Sequence, residues 1–154
     1  LTDLPGIIHF ACHNAFSAQN GASLTFSDGP WTPTDLSPAV TRKALAKAHP
    51  LVFFNACRTA GKIPWFFQTS GWAPQFMEAG AGAFIGTLWA VRSSSAKTFA
   101  EEFYREFVCK GQPLGAASLE ARKKVSEDGG DPTWLAYSVY GNAAAVANGQ
   151  ARSS

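Results

Sequence analysis

The chain has 154 residues, 46% of them hydrophobic, which suits one domain with a substantial core. Its 13 basic and 11 acidic residues give a net charge of +2, which does not favour a nucleic-acid surface. The absence of an apolar run of 18 residues argues against a membrane-spanning helix. The cysteines Cys12, Cys57 and Cys109 are odd in number and no pair has metal-type spacing, which favours a reducing, cytoplasmic location over a disulfide framework.

The first half of the chain predicts two buried strands separated by a helix. Residues 7–12 (IIHFAC) and 51–55 (LVFFN) are apolar runs typical of strands covered on both faces of a parallel sheet. Between them we predict a short strand at 24–27 and a turn at 28–30. The helix is expected to begin with Ser37 as N-cap and Pro38 as its first residue, and to end before Pro50.

In the second half, helices alternate with strands. The spacing predicts a helix near 71–79, a strand over 83–89 (AFIGTLW) and a helix over about 94–109 that ends at Gly111. Another helix opens at Pro113, and residues 134–140 (WLAYSVY) predict a last strand. We therefore predict an α/β fold of three layers with a mostly parallel sheet, a single domain over residues 1–147 and a disordered tail over 148–154.

Two side chains able to form a nucleophile and base follow the first two long strands. His13 comes just after the first strand, and Cys57 lies two residues beyond Asn55. Because active sites in such sheets form at the carboxyl ends of the strands, we expect thiol and imidazole to meet there. The imidazolium would lower the pKa of the thiol and later protonate the leaving amine. The backbone N–H groups of Cys57 and Asn14 would bind the oxyanion.

The residues around Cys57 sharpen this hypothesis. The segment NACR (residues 55–58) is close to the caspase signature Q-A-C-[RQG]-G, which has a histidine about 50 residues upstream; here His13 is 44 residues upstream. Seven segments in order resemble the CHAT domains of the caspase–separase peptidase clan: IIHFACHN (7–14), SLTFSDG (23–29), LVFFNACRTA (51–60), MEAGAGAFIGTLWAV (77–91), FAEEFYREF (99–107), LGAASLEAR (114–122) and WLAYSVYGN (134–142).

The resemblance implies a caspase-like α/β/α fold and a catalytic dyad of His13 and Cys57. It also implies a domain at the C-terminal end of a larger protein, gated by helical-repeat or other domains or by a partner. No cofactor or metal is predicted. The chain departs from the family pattern at three points. Asn14 stands where the family has glycine, residues 92–94 (RSS) replace an acidic residue, and the strands that usually precede the histidine strand are missing.

Three residues are predicted to contact a peptide substrate. Asp28 is a candidate because clan relatives that cleave after basic residues use carboxylates, with Asp35 as the alternative. Asn55 could present its amide to the pocket, and Trp89 is expected to border the groove where an extended peptide could pair with a strand edge. The aromatic residues 65–67 (WFF) fit a core or a binding pocket equally well.

The other candidate residues have simpler structural explanations. We expect His9 to be a buried, hydrogen-bonded core histidine, Cys12 to pack in the core, and Cys109 to be inert. His49 is explained by a helix-dipole contact, and close packing explains residues 80–82 (GAG) better than phosphate binding does. A zinc site from His9, Cys12, His13 and Cys57 is disfavoured, because neighbouring residues of a strand point apart.

The first functional hypothesis is a cysteine endopeptidase that cleaves a protein substrate. The alternative is a catalytically inactive CHAT-like domain that binds peptides or proteins, which Asn14 in place of glycine would favour. A small-molecule thiol hydrolase ranks lower, and neither a nucleic acid nor a membrane is predicted as a partner.

Overall fold

The computed structural model describes residues 4–12, 14–17, 21–55, 71–127, 129 and 131–147. Within this part of the chain the strands are, in chain order, β1 (Ile7–Phe10), β2 (Asn14–Ser17), β3 (Gly21–Phe26), β4 (Gly29–Trp31), β5 (Leu51–Phe54), β6 (Ala83–Thr87) and β7 (Tyr137–Gly141). The α-helices are α1 (Ala39–Ala48), α2 (Trp72–Glu78), α3 (Ser93–Tyr104), α4 (Leu114–Ser126) and α5 (Thr133–Ala136). None of the helices in these ranges is sufficiently long and apolar to span a membrane.

The central sheet has four strands in the order β1-β5-β6-β7. The first three strands are parallel, and β7 pairs antiparallel with β6. All four residues of β5 are buried, as expected of a strand covered on both faces. The predicted α/β fold with a mostly parallel sheet is confirmed.

Alternate residues of β5 face two separate cores, one on each side of the sheet. The sheet is therefore the middle of three layers. Val52 and Phe54 belong to the first core, beside side chains of α1 and α2. Leu51 and Phe53 belong to the second core, beside side chains of α3 and α4. Helices therefore cover both faces of the sheet, because successive side chains of a strand point to opposite sides.

A small antiparallel sheet of β2, β3 and β4 covers the first core. Leu24 is fully buried there, and Trp31 lies 5.0 Å from Trp72 and 5.7 Å from Phe10 between ring centroids. The sequence predicted the middle strand of this sheet but not β2 or β4. Strands of three or four residues carry little pattern of their own and are stabilised by pairing and packing.

The start of α1 differs from the prediction. Pro38 is the N-cap with extended backbone (φ −55°, ψ 136°), and the helix begins at Ala39. Ser37 is not the N-cap, because it ends a preceding 3₁₀-helix, Pro33–Leu36. Asp35 caps that 3₁₀-helix by accepting hydrogen bonds from the backbone N–H and hydroxyl of Thr32 at 2.6 and 2.8 Å.

Residues 134–136 are helical rather than the start of the last strand, so this part of the prediction is wrong. Asp131 imposes the helical turn α5, because its carboxylate accepts from the Thr133 N–H at 3.1 Å and from the Thr133 hydroxyl at 2.8 Å. Likewise β6 ends at Thr87, two residues before Trp89. The predicted aromatic segment 65–67 and tail 148–154 lie outside the described residues.

The end of the helix after β6 is confirmed, with one local change of winding. After α3 the chain continues as a π-helix, Arg105–Cys109, before Gly111 turns it in the left-handed region with φ +66°. The Cys109 thiol is exposed on this last turn.

Asp131 ties α5 to α3, and this link generates a prediction. The Ser95 hydroxyl also donates to its carboxylate. Replacing Asp131 by Ala leaves buried donors unpaired, and we expect it to lower the free energy of unfolding at pH 7 by about 1–3 kcal/mol. Urea denaturation measures the loss, with Glu120→Ala, an exposed partner of Lys123, as a control expected to cost under about 0.5 kcal/mol.

The same carboxylate makes this contribution depend on pH. Hydrogen bonds from Ser95 and then Thr133 hold the pKa of Asp131 below its ordinary 3.8. Its stabilisation is therefore complete above the ordinary value and is lost as the pH falls through the lowered pKa. The difference in free energy of unfolding between the wild type and Asp131→Ala should become smaller below about pH 4. A difference that stays constant down to pH 2 would contradict the stabilising role of the ionised Asp131 carboxylate.

Close packing at the turn before β6 gives a second prediction. A Cβ on Gly82 would lie 2.5 Å from the carbonyl oxygen of His49, and one on Gly80 would lie 2.6 Å from the Cα of Ala46. His49 ends α1 with φ 44° and donates from Nδ1 to the Gly80 carbonyl at 3.0 Å. The prediction that close packing explains these glycines is confirmed.

Gly82→Ala should therefore destabilise the fold by about 1–3 kcal/mol, because backbone must move to admit the methyl group. Thermal and urea unfolding would measure this. Gly129→Ala is the matched control, since no atom lies within 4 Å of an added Cβ there. Equal stability of the two variants would show that the turn is looser than described.

Candidate active site

The candidate site begins at the edge of the sheet where β1 and β5 end. Their parallel register aligns Ile7 with Leu51 and Phe10 with Phe54. One step further, the Asn55 N–H donates to the Phe10 carbonyl at 2.8 Å, so the pairing continues past the last strand residue. The pairing of the two strands therefore extends to Phe10 and Asn55, the last described pair before His13 and Cys57 in the sequence.

The two predicted catalytic residues, His13 and Cys57, lie outside the described residues. Asn14, predicted to provide an oxyanion N–H, is the first residue of β2 and aligns with Leu24 of β3. Their roles stay predictions. What the structure describes is the framework around them.

Cys12 precedes His13 and is half-buried against the first core, as predicted. Burial raises the pKa of the Cys12 thiol above its ordinary value, because a thiolate there would lose hydration. Cys12 is therefore a protonated, weakly nucleophilic thiol at neutral pH.

Asn55 has a fixed side chain at the carboxyl end of β5. Its Oδ1 accepts a hydrogen bond from the Tyr137 hydroxyl at 3.0 Å, and its Nδ2 donates to the Ala96 carbonyl at 3.3 Å. Both ends of the amide are thus bonded within the chain, and β5, β7 and α3 meet at this one residue. Its contact with a substrate stays a prediction.

A cavity of about 530 Å³ opens between the ends of β1 and β5 and one face of α3. We call it the β1–α3 cavity. The helical residues that line it recur every three or four positions, as one face of a helix requires. Its lining consists of His9, Ala11, Cys12, Asn55, Ser93, Ala96, Lys97, Ala100, Glu101 and Tyr104.

His9 forms the side of this cavity next to β1. Its Nδ1 and the Tyr104 hydroxyl share a hydrogen bond of 2.8 Å, and its ring centroid lies 4.8 Å from that of Phe53. The predicted hydrogen bonding is confirmed, but the predicted burial is wrong, since His9 is exposed. The reason is that β1 forms an edge of the sheet in the described part of the chain.

A second cavity, of about 400 Å³, lies at the β3–β4 turn on the other face of the sheet. We call it the hairpin cavity. Its walls are Phe10, Phe26, Gly29, Pro30 and Trp31, and Asp28 is at its exposed side. Within the described residues the Asp28 carboxylate has no hydrogen-bond or ionic partner, whereas the alternative candidate, Asp35, is committed to its cap.

Trp89, the third predicted substrate residue, lies half-buried beyond the end of β6. It packs against a small cluster formed by Val91, Ala96 and Ala136. One face of the residue therefore supports the start of α3, which carries the wall of the β1–α3 cavity. Whether it also touches a peptide stays a prediction.

The contributions of Tyr104 and Tyr137 to the site were not predicted from the sequence. Tyr104 lies on the same helical face as Ala96 and Ala100, and this spacing was the available signal. Tyr137 gave no such signal, because its bond to Asn55 joins residues 82 positions apart. Among the described residues, no group of three or more histidine, cysteine or acidic side chains could hold a metal ion.

Comparisons with known proteins agree with this architecture. A family model described as the CHAT domain matches residues 2–143. A protein of Vitiosangium sp. described as a probable protease is 30% identical over 141 residues, which cover 85% of this chain and 17% of that protein. The chain thus corresponds to a small part of a much longer relative. Together with the caspase-like arrangement of parallel strands and helices, the match establishes that the chain belongs to the CHAT domain family.

Proposed function

We propose that this chain is the peptidase domain of a cysteine endopeptidase, with Cys57 as nucleophile and His13 as general base and acid. The observation that carries the proposal is the parallel register of β1 and β5. Phe10 and Phe54 are aligned, and His13 and Cys57 each follow three residues later. Because paired strands lie about 4.8 Å apart, both segments start within reach of each other. The CHAT family match and the relative described as a probable protease support the same reaction class.

The proposed reaction proceeds through a thioester. His13 takes the proton of Cys57, and the thiolate attacks the peptide carbonyl. The backbone N–H groups of Cys57 and Asn14 stabilise the oxyanion. His13 then protonates the leaving amine, and a water molecule that loses its proton to His13 hydrolyses the thioester.

We further propose that Asp28, Asn55 and Trp89 contact the bound peptide. Asp28 is suited to this role because its carboxylate lies beside the aromatic walls of the hairpin cavity and has no partner among the described residues. Asn55 is suited by its place on the wall of the β1–α3 cavity. A cationic side chain of the peptide could pair with Asp28 and at the same time stack on the ring of Trp31.

Regulation by other domains or a partner is also part of the proposal. It is supported by the relative, in which the matched region is 17% of the protein. A cytoplasmic setting is proposed because the described cysteines, Cys12 and Cys109, are free thiols.

Alkylation of individual cysteines tests the dyad. In the full-length protein at pH 7, iodoacetamide should modify Cys57 faster than Cys12 or Cys109, because an imidazolium partner keeps Cys57 ionised. His13→Ala should slow modification of Cys57 by about tenfold or more, as its thiol returns towards its ordinary pKa. Mass spectrometry of the labelled peptides gives each rate, and Cys109→Ala is the control that should leave the Cys57 rate unchanged. If Cys57 reacts no faster than the other thiols and His13→Ala has no effect, the inactive, peptide-binding reading is favoured instead.

The pH profile of Cys12 provides an independent expectation. Burial raises the pKa of its thiol above the ordinary 9.0, so alkylation of Cys12 should stay slow through neutral pH and rise only above about pH 9. The exposed thiol of Cys109 offers the comparison in the same sample. Fast labelling of Cys12 at pH 7 would contradict the described burial.

A further inference from the structure

Three of the ten described residues that line the β1–α3 cavity are alanines. Ala96 and Ala100 are 1% and 8% exposed and lie one helical turn apart on the face of α3. Because neither side chain extends beyond Cβ, the helix leaves room that a leucine or phenylalanine at either position would occupy. Ala11 continues the apolar lining on the strand side.

Three polar residues of the described lining, His9, Asn55 and Tyr104, are hydrogen-bonded within the chain. The Asn55 amide is engaged at both ends, by Tyr137 and by the Ala96 carbonyl. Partial burial lowers the pKa of His9 below its ordinary 6.5 and raises the pKa of Tyr104 to about 12. Both rings of that hydrogen-bonded pair are therefore uncharged at neutral pH.

The only formal charges in the described lining belong to Lys97 and Glu101. They form an ion pair of 3.6 Å with each other, and their side chains are 74% and 66% exposed. They therefore lie at the solvent side and neutralise one another. Among the described lining residues a charged guest would find no unpaired counterion, and it would lose hydration without compensation from them.

We propose that the β1–α3 cavity receives an uncharged, mainly apolar side chain of the bound peptide, such as leucine, methionine or phenylalanine. Ala11 and Cys12 on its wall lead directly to His13, and Asn55 lies two residues before Cys57, so the cavity borders the scissile bond of the proposed reaction. This inference rests on the proposed peptidase function. Ala96 and Ala100 determine the size of the accepted side chain. Asp28 lies in the hairpin cavity on the opposite face and does not contribute here.

The experiment measures how fast matched peptide probes modify Cys57 in the full-length protein. Peptidyl acyloxymethyl ketones would differ only in the residue next to the ketone: alanine, leucine, phenylalanine, arginine or aspartate. We expect leucine and phenylalanine probes to react at least about tenfold faster than arginine and aspartate probes. An arginine or aspartate probe that reacts fastest would overturn the inference.

A substitution that fills the cavity provides the second measurement. Ala100→Leu should slow the leucine and phenylalanine probes by about tenfold and leave the alanine probe within about twofold, because only the larger side chains meet the added methyl groups. Ser94→Leu, an exposed position of the same helix outside the lining, is the matched control and should preserve the original order. An unchanged order of probes in Ala100→Leu would also overturn the inference.

Iodoacetamide separates this inference from the proposed function, since it needs no side-chain pocket. Rapid, His13-dependent alkylation of Cys57 together with a preference for charged probes would contradict the inferred specificity but support the proposed peptidase function. Slow alkylation of Cys57 together with no modification by any peptide probe would contradict both the inferred specificity and the proposed function.

Discussion

The parallel hydrogen bonding between β1 and β5 sets the edge of the sheet at which the candidate site lies. β5 is buried on both faces, so its neighbours must be strands at its edges and helices above and below. Parallel strands both end at the same edge, and the chain segments that follow them have to leave there together. A candidate site at this edge is thus a consequence of how the hydrophobic residues are buried, rather than of any one polar contact.

The helix α3 has two roles that its sequence combines on adjoining faces. Phe99 and Phe103 pack into the second core and hold the helix against the sheet. Ala96 and Ala100, displaced around the same helix, are also buried but border the β1–α3 cavity. The large side chains set the distance between helix and sheet. The small ones do not fill that distance and so leave space for the cavity.

How far the sequence could predict this structure depends on the type of signal. β5, β6 and α4 were predictable because long apolar runs and helical spacing report burial directly. β2 and β4 were not, because strands of three or four residues depend on partners supplied by the rest of the chain. The N-cap of α1 was misplaced by one residue, since the competing 3₁₀-helix capped by Asp35 ends at Ser37.

The strand ends predicted the edge of the sheet that carries the candidate site, because β1 and β5 are parallel neighbours. The places of His13 and Cys57 at this edge stay predictions, and the walls of the cavities there were not predicted. Helical spacing predicted that one face of α3 is buried, yet it could not reveal that Ala96 and Ala100 on this helix border a cavity. The exposure of His9 escaped prediction for a related reason. An apolar run indicates a strand but does not indicate which strand forms an edge.

The hydroxyl of Tyr137 crosses from the antiparallel strand β7 to the side chain of Asn55 at the end of β5. Its ring is held by Phe99, with centroids 3.6 Å apart, so the hydroxyl has little freedom to swing away. Asn55 is consequently ordered before any ligand arrives. Binding of a peptide in the adjoining cavity would therefore cost little conformational entropy at this wall. The side chain of Asn55 already loses its freedom when the domain folds.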